Sequence, residues 1–363
     1  MPYQTIHINT RAVAPEKPHS GATRRSVLVI YTGGTFGMVY DTKTDQLVPF
    51  NFDQVLERVP EIQRLDFEIT LITMPTIIDS SNMTPAIWIE LVRLIERHYA
   101  DYDSFVILHG TDTMAYTASA LSFMLENLSK PVILTGAQLP IGMARTDARE
   151  NFITALEIAA AVRNDQPVVP EVCLYFNSLL LRGNRATKQE SVHFNAFASE
   201  NYPHLAMAGV SIDYNLPFIR PYHPHKPLAI RTALDPNVTI LKLFPGITPA
   251  VVRSILAIPA LRGCILETYG AGNAPTDSWF LDELQTAIDR GVVLVNVSQC
   301  EGGRVTQGRY QTSKLLEQIG VVSGADITTE AAITKLMALL ADETDPMRLR
   351  RRLAEPLCGE MSA

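Results

Sequence analysis

Short apolar runs separated by amphipathic segments make up most of the chain. In the first half of the chain, apolar runs of strand length are 27–31, 104–108, 131–134 and 172–176, and residues 66–74 alternate in the manner of a strand. Between them, apolar residues recur at helical spacing, as in the segment after Thr84-Pro85, where a proline at the first helical position marks a helix start. Strands that alternate with helices predict a parallel sheet covered on both faces.

This alternation breaks once, in residues 211–236, which are rich in proline and lack periodicity. Such a segment is typical of a linker. The alternation then resumes with runs at 238–244, 264–268 and 292–297. The sequence therefore predicts an α/β fold of two doubly wound parallel-sheet domains joined by a proline-rich linker. The predicted parts are a flexible N-terminal tail (1–25), an N-terminal domain (26–210), the linker (211–236) and a C-terminal domain (237–363).

Two local patterns lead to more specific expectations. Residues 39–51 are polar and rich in turn formers, which predicts a mobile loop that is either a lid over the preceding turn or an ordinary surface connection.

Asp147 is followed three residues later by Glu150. This is the pattern of a capping box, and it predicts the start of a helix that runs to Val162.

Composition narrows the class of protein. The 363 residues are 47% apolar and 19% charged, with a formal charge of −7 and no basic block, so binding to nucleic acid or to an anionic membrane is not supported. No apolar run is long enough to span a membrane, and residues 1–25 lack the apolar core of a secretory signal. The four cysteines form no CxxC pair, which fits a reducing compartment. We therefore expect a cytoplasmic protein.

Candidate chemistry lies at three successive strand ends, TGGT (32–35), HGTDT (109–113) and TGAQ (135–138). Ligands of open parallel sheets bind at the carboxyl ends of strands. A structural turn needs the glycines but not the threonines, so the pattern favours a shared polar pocket over simple helix capping. The threonines of this predicted pocket are Thr32, Thr35, Thr111, Thr113 and Thr135.

Thr35 is the candidate nucleophile, and a threonine hydroxyl needs a base to remove its proton. The candidates for that base are Asp112, Lys188 and a tyrosine. Taken alone, Asp112 also fits a helix N-cap and Lys188 a surface lysine. The GxSxG, HExxH and Walker motifs are absent, TGGTFG is a weak match to a dinucleotide fingerprint, and the histidines form no metal cluster.

Taken together in their order, seven motifs from residue 26 to about 357 resemble those of the bacterial-type L-asparaginases, in particular the cytoplasmic type I branch. The motifs are YTGGTFGM, DSSNMTP, FVILHGTDTMAYTASALSFMLENL, PVILTGAQ, RGNRATK, ETYGAGNAP and VVSGADITTEAAITKL. The resemblance implies hydrolysis of the side-chain amide of L-asparagine to L-aspartate and ammonia without a cofactor. It also implies a homodimer or homotetramer.

The same resemblance implies roles for individual residues. Thr35 matches the nucleophile, and Thr111 the second catalytic threonine, which works with an aspartate and a lysine. The implied catalytic residues are Thr35, Thr111, Asp112, Lys188 and Tyr310. For substrate binding, the resemblance implies that Ser80 binds the α-carboxylate and that Asp112 binds the α-ammonium. The Ala137 carbonyl would orient the amide, and Asn273 would reach the site from a neighbouring subunit. The substrate-binding set is Asp79, Ser80, Asp112, Ala137 and Asn273.

The chain departs from the family pattern at several positions. In periplasmic relatives a loop tyrosine assists the nucleophile, but the position that aligns with it here is near Leu47, which cannot do so. Tyr40 is the nearest tyrosine that could take this role. We prefer Tyr310, which matches a tyrosine of type I relatives. Asn82 stands where relatives often have an aspartate. Some type I enzymes are activated by asparagine at a second site. Cys300 matches that site, but Glu267 reverses the charge of its arginine, which argues against activation here.

Three other functions are possible. The first is hydrolysis of L-glutamine, which differs from L-asparagine by one methylene, a difference worth only about 1 to 3 kcal/mol of discrimination. The second is that of the related amidotransferase subunit that acts on misacylated tRNA; that subunit carries an extra N-terminal domain, whereas this chain has only residues 1–25 before the region of resemblance. A non-catalytic amino-acid-binding protein is the third, and the presence of both threonines, Asp112 and Lys188 argues against it.

Overall fold

The computed structural model describes residues 3–8, 10, 24–41, 46–49, 55–308 and 311–362. Within these ranges the chain forms two compact units. The first unit draws on residues 1–121, 125–199 and 203–230, and the second on residues 122–124, 200–202 and 231–363. The first unit thus continues to residue 230, past the limit of 210 predicted from the sequence.

Most strands belong to the first unit. They are β1 (Gln4–Ile8), β2 (Ser26–Gly33), β3 (Met38–Asp41), β4 (Gln46–Pro49), β5 (Glu68–Ile78), β6 (Ser104–Leu108), β7 (Leu125–Glu126), β8 (Val132–Thr135), β9 (Val162–Arg163), β10 (Gln166–Pro167), β11 (Val172–Phe176), β12 (Leu179–Arg182), β13 (Thr187–Lys188), β14 (Phe197–Ala198), β15 (Ala206–Ala208), β16 (Ile212–Tyr214) and β17 (Ala229–Ile230). The helices that begin in this unit are α1 (Val55–Arg58), α2 (Pro85–His98), α3 (Met114–Met124) and α4 (Ala148–Ala160).

The main sheet of the first unit has nine strands in the order β1-β5-β2-β6-β8-β11-β12-β15-β16. The five strands from β5 to β11 pair in parallel, as the apolar runs predicted. β1 and the β12-β15-β16 group pair antiparallel at the two edges. The α/β class is therefore confirmed, but the sheet is mixed rather than wholly parallel.

Three segments differ from the sequence-based expectation. β1 lies in the predicted flexible tail, yet it pairs along its whole length with β5. β3 and β4 form an antiparallel hairpin inside the predicted loop 39–51. The predicted linker contains β16, an edge strand of the main sheet, and β17, which pairs with β7. Strand pairing, between β3 and β4 themselves or with a strand outside the segment, thus orders segments whose own sequence is typical of irregular structure.

Burial in the first unit is greatest along the parallel strands. Val27 to Tyr31 of β2 and Phe105 to Leu108 of β6 have no exposed surface. α2 begins after Thr84 with a proline in its first turn, as expected, and buries Trp88 and Leu91 on one face. Strands that are apolar on both faces need helices above and below, and this fixes where the chain must turn. Those turns carry the glycine and threonine motifs.

The second unit is built on a four-stranded, wholly parallel sheet. Its strands are, in spatial order, β18 (Val238–Lys242), β19 (Gly263–Thr268), β20 (Val293–Ser298) and β21 (Val322–Ser323). Its helices are α5 (Pro249–Leu256), α6 (Ser278–Asp289), α7 (Gln311–Gln318), α8 (Thr329–Asp342) and α9 (Pro346–Ala354). Two apolar clusters lie on it, one containing Val295 and Leu336 and the other Leu266 and Phe280.

A buried ion pair closes the second unit. Lys335 of α8 is 1% exposed, and its Nζ lies 2.8 Å from Glu360 Oε1, whose side chain has no exposed surface. The same ammonium donates to Leu353 O (2.9 Å) and Glu355 O (2.6 Å). Glu360 in turn accepts from the backbone N–H groups of Leu357 and Cys358. These bonds hold the chain that follows α9 against α8.

Three of the four cysteines, Cys173, Cys264 and Cys358, are buried, and Cys300 is exposed. Within the described part of the chain, none of the helices combines the length and the apolar character needed to cross a membrane.

Candidate active site

The ends of β2, β6 and β8 meet through direct backbone contact. Gly34 has φ of 84°, and a Cβ there would lie 2.4 Å from Gly110 Cα. A Cβ on Gly110 would lie 2.6 Å from Ser80 Oγ, and one on Gly136 would lie 2.3 Å from His109 O. No side chain fits at such distances, so the glycines are required for these turns to approach one another. The structure thus brings together the three glycine motifs and Ser80.

Lys188 connects two of the predicted catalytic residues. Its ammonium donates to Thr111 Oγ1 at 2.8 Å and to Asp112 Oδ1 at 2.6 Å. The Thr111 residue is 7% exposed, whereas the side chains of Lys188 and Asp112 are 17% and 63% exposed. Lys188 reaches Thr111 from β13, whose partner strand is β14. The lysine is thus neither a free surface residue nor remote from the HGTDT turn.

The hydroxyl of Thr111 has a second partner that the sequence did not single out. Thr111 Oγ1 donates to Gln138 Oε1 at 3.3 Å, and Gln138 Nε2 donates to His193 O at 3.1 Å. Because the lysine ammonium can only donate, the proton of Thr111 points toward Gln138. Gln138 is the last residue of the TGAQ motif, so its position at a strand end could have indicated from the sequence that it lies at the site.

Thr35 begins a 3-10 turn, Thr35–Gly37, directly after Gly34. Thr35 is half-buried, whereas Phe36 beside it is fully buried and packs edge to face on Phe152 at 5.4 Å between ring centroids. The aromatic contact anchors this turn on α4. The predicted nucleophile therefore follows Gly34, the residue whose backbone touches the HGTDT turn.

Ser80 and Asp79 lie on the turn that follows β5. Ser80 is 3% exposed and its carbonyl accepts from Thr113 Oγ1 at 2.7 Å. Asp79 is exposed, and its Oδ1 accepts from Ser81 N–H at 3.0 Å, which caps the 3-10 turn of residues 80–82. Asp79 thus shapes the turn that presents Ser80.

The TGAQ turn is held by Asp147 rather than by its own backbone. The Asp147 carboxylate accepts from Gln138 N–H at 2.9 Å and from Leu139 N–H at 3.0 Å, and Asn151 Nδ2 donates to Gly136 O at 3.0 Å. Asp147 makes no side-chain cap to α4, so the expected capping box is wrong. The carboxylate serves the preceding turn, and Ala137, 1% exposed, lies within it.

The predicted pocket of five threonines is reduced by the structure. Thr32 Oγ1 donates to Leu108 O and Thr135 Oγ1 to Tyr175 O, each across to the neighbouring strand. Thr113 donates to Ser80 O. These three hydroxyls bond to backbone carbonyls and join adjacent strands and turns, so a role in the pocket remains for Thr35 and Thr111.

The remaining predicted residues belong to the second unit or fall outside the described ranges. Asn273 is half-buried and closes a tight turn after β19, where Tyr269 and Asn273 form a β-bridge. Tyr310 lies outside the described residues. For Tyr40 and Leu47, in the β3–β4 hairpin, only the backbone is described.

Glu267, at the position that argues against a second asparagine site, is engaged within its own unit. Its Oε1 accepts from Thr329 Oγ1 at 2.6 Å, and its Oε2 lies 3.4 Å from Lys242 Nζ. Among the residues that the structure describes, no group of three or more histidine, cysteine, aspartate or glutamate side chains is placed to hold a metal ion.

Comparison with known proteins identifies the family. Residues 26–220 match the family described as Asparaginase, N-terminal, and residues 237–353 match the Glutaminase/Asparaginase C-terminal domain. These matches cover most of the chain, which belongs to the asparaginase family. The family expected from the motifs is therefore confirmed.

Individual relatives agree with this assignment. The chain is 44% identical over 341 residues to L-asparaginase 1 of Escherichia coli (strain K12), covering 93% of this chain and 98% of that protein. It is 40% identical over 376 residues to the 60 kDa lysophospholipase of Mus musculus, covering 97% of this chain and 64% of that protein. The crystal structure of L-asparaginase I from Vibrio cholerae matches with a TM-score of 0.85 at 38% identity, covering 94% of this chain and 100% of that one.

Proposed function

We propose that this protein hydrolyses the side-chain amide of L-asparagine, giving L-aspartate and ammonia. Membership of the asparaginase family and the similarity to the E. coli enzyme support the substrate. The observation that carries the proposal is the Lys188–Thr111–Asp112 group, hydrogen-bonded at the turn whose backbone touches the turn of Thr35. A lysine, a threonine and an aspartate joined in this way can assist the proton transfers that amide hydrolysis requires.

In the first step, the hydroxyl of Thr35 attacks the amide carbon of asparagine. Its proton passes, through an assisting group, to the amide nitrogen, and the C–N bond breaks to release ammonia and leave an acyl ester on Thr35. Backbone N–H groups of the glycine-rich turns stabilise the oxyanion, a contribution of about 3 to 4 kcal/mol per donor. We propose Tyr310 as the assisting group, on the resemblance alone.

In the second step, water attacks the ester carbon and the C–O bond to Thr35 breaks, which returns the hydroxyl and releases aspartate. Thr111, with Lys188 and Asp112, activates the water. Asp112 also pairs with the α-ammonium of the substrate, since one of its oxygens is bonded to Lys188 and its side chain is largely exposed. Ser80, with Asp79 shaping its turn, binds the α-carboxylate, and the Ala137 carbonyl orients the amide.

We further propose that the active enzyme is a homodimer or homotetramer in the cytoplasm. Asn273 of one copy then completes the site of another. This follows the pattern that the sequence resemblance implies, and it makes activity dependent on assembly. We propose no cofactor, because each step above is served by a side chain, a backbone N–H or water.

The deciding measurement is ammonia release by the purified protein from L-asparagine and L-glutamine over a concentration series. We expect hyperbolic turnover of asparagine and loss of more than about 10³-fold in kcat for Thr35→Ala. Thr286→Ala, an exposed threonine on α6, is the matched control and should retain full activity. Fatty-acid release from lysophosphatidylcholine with no ammonia from either amide would contradict the proposal.

A further inference from the structure

A chain of hydrogen bonds runs beneath the HGTDT turn. Trp88 Nε1 lies 3.0 Å from Thr117 Oγ1, which lies 2.9 Å from His109 Nε2, and His109 Nδ1 lies 2.7 Å from Gly110 O. His109 and Thr117 have no exposed surface, and Trp88 is 6% exposed. The ring of His109 therefore links the turn to α2 and α3 through groups shielded from water.

The chemistry of these groups fixes the direction of the chain. The indole N–H can only donate and the carbonyl can only accept, so Nδ1 of His109 carries the proton that binds Gly110 O. Burial lowers the pKa of His109 to about 4, which leaves the ring neutral near pH 7. Nε2 is then unprotonated and accepts from the Thr117 hydroxyl, whose oxygen accepts from Trp88.

The carbonyl at the end of this chain belongs to the peptide unit that carries the N–H of Thr111. A trans peptide is planar, with its C=O and N–H pointing in opposite directions. Holding Gly110 O against the buried ring therefore turns the Thr111 N–H away from the ring. Gly110 also lies against Gly34 and Ser80, so rotation of this peptide would disturb both neighbouring turns.

We propose that His109 is a positioning residue for the amide hydrolysis: its ring holds the Gly110–Thr111 peptide in the orientation that the reaction uses, and Thr117 and Trp88 lock the ring. The inference rests on the proposed function, since it assigns a role in that reaction. Misplacement of a catalytic group by about 1 Å can cost about 10²-fold in rate. An apolar residue would fill the space but could not donate to Gly110 O.

Two variants of His109 separate hydrogen bonding from packing. His109→Asn keeps an N–H donor near the position of Nδ1, and His109→Leu removes it. We expect kcat for L-asparagine to fall about 10²-fold in His109→Leu, and His109→Asn to recover most of that loss. The reason is that only His109→Leu leaves Gly110 O without the donor that fixes the orientation of this peptide.

A second pair covers the case in which His109→Leu does not fold. Thr117→Val removes the hydroxyl that locks the ring, whereas Thr117→Ser keeps it. We expect Thr117→Val to lower kcat by about tenfold and Thr117→Ser to match wild type, because only the first leaves Nε2 without its donor. Nitrogen-15 NMR of the imidazole, assigned by comparison with His109→Asn, should show a protonated Nδ1 and an unprotonated Nε2 at pH 7.

The outcomes distinguish this inference from the proposed function. An active wild-type enzyme whose His109→Leu and Thr117→Val variants keep full kcat, with only a lower melting temperature, would show a purely structural role and overturn the inference alone. A proton on Nε2 instead of Nδ1 would do the same. A wild-type protein that releases no ammonia would overturn the proposed function, and the inference with it.

Discussion

Lys188 is bonded in a way that suits catalysis better than stability. Its partner Asp112 has a side chain that is 63% exposed, and ion pairs in such surroundings contribute at most about 1 kcal/mol to folding. The ammonium also donates to Thr111, whose proton is directed to Gln138. This arrangement places the Lys188 ammonium where it would stabilise negative charge on Thr111 Oγ1.

Replacing Lys188 with methionine tests this reading at the residue scale. We expect kcat for asparagine to fall about 10³-fold, because Thr111 loses its cationic partner, while the melting temperature changes little. Steady-state ammonia release and thermal unfolding measure the two quantities. Lys226→Met, at an exposed lysine, is the control. A large loss of stability with intact kcat would show that the contact is structural.

At the scale of the elements, continuous apolar runs predicted the parallel strands β2, β6, β8 and β11, because strands buried on both faces require such sequence. An alternating pattern predicted β5. The edge strands β1 and β16 were missed because they are short and partly exposed. β1 is ordered by pairing with β5, which is distant in the sequence, and β16 by pairing with the short strand β15. Neither pairing can be inferred from the pattern of the strand's own residues.

The candidate site was predictable to a similar extent. The glycine motifs could be recognised because close backbone approach excludes any other residue. Which hydroxyls would face the site could not be predicted, since side-chain direction depends on strand register. Thr32 and Thr135 illustrate this, as both donate to neighbouring strands. Asp147 was misassigned because its partners, residues 138 and 139, precede the helix instead of forming its first turn.

Asp147→Ala should therefore loosen the TGAQ turn instead of fraying α4. Two backbone N–H groups lose a charged acceptor, each bond being worth about 1.5 to 3 kcal/mol, so we expect a clear fall in the free energy of unfolding together with a lower kcat. Urea unfolding and ammonia release measure these changes. Arg149→Ala, at an exposed residue of the same helix, is the control. Loss of stability with unchanged kcat would show that Asp147 stabilises the turn without affecting the reaction.

At the scale of the whole molecule, stability should depend on pH through Glu360. Burial alone would raise its pKa, but Lys335 and the backbone N–H groups of Cys358 and Leu357 outweigh burial and hold the pKa below the ordinary value of 4.5. A lowered carboxyl pKa contributes stability that is fully present above pH 4.5 and is lost as the pH falls through the folded-state value.

Glu360→Gln should remove this dependence. We expect the variant to lose about 3 kcal/mol at pH 7, because Lys335 remains buried without its anion, and to show a smaller further loss on acidification than wild type. Urea unfolding monitored between pH 7 and pH 3.5 tests this. Glu355→Gln, an exposed site nearby, is the control. Parallel pH curves for wild type and Glu360→Gln would contradict the assignment.

Assembly provides the other whole-molecule prediction. If Asn273 of one copy completes the site of another, mixing the inactive variants Thr35→Ala and Asn273→Ala should restore activity. Random exchange between dimers leaves about a quarter of the sites with both residues intact, so we expect about a quarter of wild-type turnover after unfolding and refolding the mixture. Turnover no greater than the sum of the separate variants would show that each site is built from one chain.

The buried ion pair between Lys335 and Glu360 also affects how the second unit folds during synthesis. The ribosome synthesises α8 before the segment that neutralises it, so Lys335 emerges as a cation without its partner. The second unit cannot bury that face of α8 at low energetic cost until Glu360 has left the exit tunnel. We therefore expect nascent chains stalled before residue 360 to remain protease-sensitive in this unit.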